Sequence, residues 1–133
     1  MTPKHSHLPV VHPYAAGIDV GSTTHYVAIG QGAEDIRSFG CYTEDLHALS
    51  EWLQSQGITT IAMESTGSYW KSLFQRLQQD GFEVLLVNGK HTRNVKGRKT
   101  DVLDCQWIQR LHSLGLLSGS FLPDTFTAPY ANM

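Results

Sequence analysis

The order in which two periodicities follow one another is what most limits the folds open to this chain. Three short apolar runs come first, at Tyr14 to Val20, His25 to Ile29 and Arg37 to Tyr42, joined by links rich in Gly, Ser, Thr and acids. Runs of that length between turn residues read as strands, and three in succession predict an antiparallel meander. After them the period changes. Thr43 is a candidate N-cap, and Leu46, Leu49, Trp52 and Leu53 recur at helical spacing, predicting an amphipathic helix from Glu44 to Gln56 stopped by Gly57. Ile58 to Glu64 predicts a fourth strand. Ser68 then caps a helix over Tyr69 to Asp80, with Trp70, Leu73, Phe74 and Leu77 inward, and Phe82 to Val87 is a fifth strand beyond Gly81.

Strands alternating with helices after a meander predict parallel pairings with right-handed crossovers. The order matches a ribonuclease H-like α/β layout: a mixed five-stranded sheet, antiparallel in the meander and parallel beyond it, with flanking helices. In that layout the first strand is central and lies beside the fourth, which brings Asp19 near Glu64. A connector over 88 to 100, with a helical turn near Thr92 to Lys96, leads to a last helix capped by Thr100 and ending near Leu114, before Gly115. Residues 1–12, with His5, His7 and His12 among prolines, read as a flexible tail rather than a metal site. Residues 118–133 read as a loose tail, leaving 13–117 as the folded domain.

A chain of 133 residues suits one core without disulfide staples. Cys41 and Cys105 lack C-x-x-C spacing and read as reduced thiols. No apolar run approaches the ~20 residues of a membrane span, and the first residues lack the apolar core of a secretory signal. A cytoplasmic protein without membrane contact is expected. Charge is segregated: Lys90, Arg93, Lys96, Arg98 and Lys99 are half of the ten Lys and Arg residues, and removing their +5 from a net −2 leaves −7 elsewhere. A local basic patch on an acidic body can grip phosphates.

Four carboxylates stand out against that background. Asp19 interrupts the apolar run AAGIDV, where a buried charge needs a partner. Glu64 ends the run TTIAME, just before Gly67 and Ser68. On the last helix Asp104 falls inside the apolar arc of Leu103, Trp107, Ile108, Leu111 and Leu114, which predicts that it points toward the sheet; Asp101 lies at the edge of that arc. Singly each acid has a bland explanation, a strand end for Glu64 and first-turn dipole compensation for Asp101. Converging at one end of a sheet beside a basic loop, they suit a hard cation such as magnesium or manganese. Two such ions stabilise the attacking and leaving oxygens of a phosphodiester in line.

Other features invite weaker readings. Asp19, Gly21, Ser22 and Thr23 are similar to the first phosphate loop of sugar kinases, but a second Gly-rich motif and a second lobe are missing. Ser65 and Thr66 have no activating His and acid in sequence terms, so helix entry explains them. Trp52, Trp70 and Trp107 fall on apolar helix faces and read as core rather than base-stacking platforms.

Three separated blocks, GIDVGSTTHYVAI, AMESTGSYW and VNGKHTRNVKGRKTDVLDCQWIQRL, resemble in order and spacing the N-terminal domain of DEDD-type insertion-sequence transposases, the bridge-RNA-guided recombinases related to pilin-gene invertases. The likeness covers about Ala15 to Asp124. It implies a RuvC-like, ribonuclease H-type catalytic domain whose four acids, here Asp19, Glu64, Asp101 and Asp104, bind magnesium for DNA cleavage and strand exchange. It further implies DNA and a guide RNA as partners near Lys96 to Lys99, and a homo-oligomer in the full-length form. Family members continue into a second domain with a nucleophilic serine; the closing TAPYANM does not resemble the connector to it, so a truncated or frameshifted copy is expected. The alternative is a non-catalytic nucleic-acid-binding or dimerisation fragment of a transposase.

Overall fold

A computed structural model of the chain describes residues 9–65, 67–87 and 104–117. Strands β1 (Ala15–Val20), β2 (His25–Ala28) and β3 (Ile36–Phe39) are followed by helix α1 (Thr43–Ser55), strand β4 (Thr60–Ser65), helix α2 (Trp70–Gln79), strand β5 (Glu83–Val87) and helix α3 (Asp104–Ser113). They form one five-stranded sheet in the order β3-β2-β1-β4-β5. The β1, β2 and β3 pairings are antiparallel, whereas β1 pairs with β4, and β4 with β5, in parallel. This is the mixed α/β arrangement that the alternation of periods predicts.

Strand alternation divides the apolar residues between two faces. Ala16, Ile18 and Val20 of β1 join Val27, Ile61, Met63, Val84 and Leu86 on one face, where Leu49, Leu53, Leu73, Phe74 and Leu77 of α1 and α2 complete the main core. Trp52 is part of that core and Trp70 packs against it. Trp107, on α3, is buried as well.

The opposite face belongs to α3. Gly17 admits its close approach: a Cβ there would meet the Gln109 nitrogen at 2.3 Å and the Cys105 carbonyl oxygen at 2.5 Å. Polar side chains then fix the helix lengthwise. Gln109 Nε2 donates to the Ala15 carbonyl at 3.1 Å, Gln31 Nε2 donates to Gln109 Oε1 at 2.6 Å, and Gln106 Nε2 donates to the Gly32 carbonyl at 3.1 Å. At the far end His112 Nε2 lies 2.8 Å from Thr60 Oγ1, and its ring stacks at a tilt on His12. The Val11 and His12 amides both donate to the Ser113 carbonyl, so this part of the segment read as a tail closes over the helix end. Among the described residues no helix is long and apolar enough to cross a membrane.

Element ends differ from expectation where capping chemistry decides them. The N-cap of α1 is Tyr42 rather than Thr43, because the Asp45 carboxylate accepts the Tyr42 amide at 3.0 Å and closes the first turn one residue earlier. At α2 the cap is Tyr69, already helical in its backbone, and Ser68 contributes its carbonyl to the Lys71 amide instead of a side-chain cap. β3 begins and ends earlier than the apolar run suggests, behind a short 3-10 turn over Ala33–Asp35 whose Asp35 carboxylate accepts the Gly32 amide at 3.0 Å. The helical turn near Thr92 to Lys96 and the Thr100 cap lie outside the described residues.

Candidate active site

Asp19 and Glu64 are direct partners in the parallel β1–β4 register. Both belong to the set of alternating residues facing α3, since Ile18 and Met63 beside them lie in the core on the other side. Neighbouring strands lie about 4.8 Å apart, so two carboxylates in one register row share one local environment. Glu64 is only 6% exposed and Asp19 is half-buried.

α3 brings its N-terminal end to the same place. Burial pushes the Cys105 thiol up to about 11, and the charges of Asp19 and of Asp104 both add to the rise. One buried sulfur thus feels a carboxylate from the sheet and another from the helix. Asp104 is exposed, not turned into the core as its helical phase predicts. It is the first residue of α3, at the carboxyl ends of the central strands, where the buried stripe has only begun with Cys105. Among the described residues no strand extends beyond it to cover it.

Asp101 and the basic residues Lys90, Arg93, Lys96, Arg98 and Lys99 lie outside the described residues. Among the described residues, no three His, Cys, Asp or Glu side chains are grouped to hold a metal ion. The two acids that share a register row, Asp19 and Glu64, are both carboxylates. That all-oxygen chemistry fits magnesium or manganese and does not suit a thiophilic metal.

Two groups near the site were not singled out by residue type. His25 is buried on β2; the Gly21 amide donates to its Nδ1 at 3.3 Å, and its Nε2 lies 3.4 Å from Cys41 Sγ. Because a backbone N–H can only donate, Nδ1 is the acceptor and the neutral ring carries its hydrogen on Nε2, toward the sulfur. The pair therefore pins the turn after Asp19 and does not activate a thiol, and burial together with Asp45 pushes the Cys41 pKa up. Gln109 is the second. A buried amide on a helix face otherwise apolar is its only sequence signal.

A five-stranded mixed sheet of this order, with a pair of carboxylates on its adjacent central strands, defines a RuvC-like domain of the ribonuclease H class. RuvC of T. thermophilus, solved in complex with a Holliday junction substrate, superposes with a TM-score of 0.53 at 12% sequence identity, over 78% of this chain and 98% of that one. The family model for DEDD transposases of the IS110 type matches residues 16–126. The chain belongs to that transposase family and comprises its DNA transposase catalytic domain. No curated protein matches the chain significantly.

Proposed function

We propose that this domain carries out metal-dependent phosphodiester cleavage and strand transfer in DNA transposition, with Asp19, Glu64, Asp104 and Asp101 as the cation ligands. The observation that carries the reading is the register match of Asp19 with Glu64 on the face that α3 covers. A bound magnesium or manganese ion would neutralise the acids and stabilise charge building on the reacting phosphate. The protein's own part is positional. The sheet backbone fixes the spacing of Asp19 and Glu64, and the Gln109 and Gly17 contacts fix α3, and with it Asp104, relative to β1.

DNA is the substrate class that the family supports, and the RuvC likeness favours branched DNA. Lys90, Arg93, Lys96, Arg98 and Lys99, clustered directly before α3, would neutralise phosphates of that strand or of a guide RNA. Thermal denaturation with and without magnesium or manganese tests the ligand set. The cation raises the melting temperature of the wild type and leaves Asp19→Asn and Glu64→Gln unmoved. Equal shifts in all three proteins would sink the assignment.

A further inference from the structure

The register row that holds the two acids continues across the whole sheet: Ser38 pairs with Tyr26, Tyr26 with Asp19, Asp19 with Glu64, and Glu64 with Val87. Exposure falls along it. Ser38 is exposed, Tyr26 is 48% exposed, Asp19 is half-buried, and Glu64 and Val87 are buried. The row is therefore a shelf, open at β3 and β2 and closing over the acids, with α3 packed on the rows below it through Gly17 and Thr60.

On that shelf Tyr26 is the direct cross-strand neighbour of Asp19, about 5 Å away between Cα atoms. Its alternation with Val27, which lies in the main core, puts its ring on the same face as the carboxylates. Tyr14, Tyr42 and Tyr69 are exposed too, but none of them stands in this row. A half-exposed aromatic ring offers a face on which an unpaired base can stack, and this one stands directly beside the carboxylate row.

We infer that Tyr26 is a nucleobase-stacking residue that receives a base flanking the phosphodiester held at Asp19 and Glu64. The inference rests on the proposed phosphodiester chemistry and adds a specificity for an unpaired nucleotide next to the reacting bond. Stacking is sequence-tolerant and carries no ionic component, whereas phosphate contacts release counterions. The two contributions separate in a salt titration.

The test measures binding of the full chain to a fluorescent branched DNA with unpaired nucleotides at the branch, across a range of salt concentrations. Tyr26→Phe keeps the ring, and Tyr26→Thr removes it while preserving strand propensity. Tyr26→Thr weakens binding about tenfold or more, Tyr26→Phe matches the wild type, and the slope of affinity against salt is the same for all three. Unchanged melting temperatures establish that each variant is folded. Wild-type affinity in Tyr26→Thr overturns the inference and leaves the phosphodiester reading standing; a wild type that binds no DNA overturns both. Equal losses in the Phe and Thr variants also overturn it, because the hydroxyl and not the ring would then be responsible.

Discussion

Gly17 lies so close to the main chain of Gln109 that a Cβ at position 17 would stand 2.3 Å from the Gln109 nitrogen. The obstacle is backbone, which cannot turn aside as a side chain can. Gly17→Ala therefore pushes α3 off β1 and lowers the unfolding free energy by about 1–3 kcal/mol, the usual cost of overpacking. A urea midpoint equal to that of the wild type would show that the helix yields freely.

Gln109 spans β1 and the β2–β3 turn, donating to the Ala15 carbonyl and accepting from Gln31. Gln109→Leu keeps the volume and removes both bonds, stranding a buried carbonyl at a cost of about 1–3 kcal/mol. Gln31→Ala, at the rim of the same network, costs less. Chemical denaturation of the two variants side by side checks the order.

His112 is buried against Thr60, and that burial, helped by the neighbouring His12 and opposed by Glu83, lowers its pKa to about 4. The folded-state value lies below the ordinary 6.5, so between about 4 and 6.5 the unfolded chain binds the extra proton. Stability owed to the neutral ring is complete above 6.5 and is lost as the pH falls toward 4, by about 3 kcal/mol in all. His112→Gln flattens this part of the pH–stability curve, measured by denaturant midpoints at successive pH values. A slope unchanged by the substitution would assign it to other groups.

The two cysteines are unpaired and differ in access, Cys41 exposed and Cys105 buried. A thiol reagent titrates one group per folded chain and two after denaturation. Cys41→Ser removes the fast-reacting group and leaves the slow one, since the Cys105 pKa is pushed up to about 11 and only the thiolate reacts. Two fast groups in the folded wild type would contradict the packing of α3 on Gly17.

The sheet was legible because its signals are local. Short apolar runs mark the strands, Leu46, Leu49 and Leu53 mark one helix face, and the glycines at 57, 81 and 115 adopt the positive φ of helix stops. Order alone then placed β1 beside β4. What stayed hidden was set by relations between distant elements. Helical phase put Asp104 on the inward arc, but its exposure depends on where α3 ends relative to the strands. The Gln31, Gln106 and Gln109 amides read as ordinary polar residues until α3 lay across β1. The cap of α1 moved by one residue because Asp45 reaches back to Tyr42, a choice between equivalent acceptors that composition cannot settle.

The pairing of Asp19 with Glu64 joins positions 45 residues apart in the chain through a parallel register. Side chains on a strand alternate faces, so a slip of one residue between β1 and β4 would turn Glu64 into the apolar core and take it from Asp19. Local structure alone cannot assemble this pair, because a parallel pairing requires the whole crossover to close first. A growing chain is thus unable to join the two acids before β4 has been made and docked, and any chemistry they share is withheld until folding has passed that point.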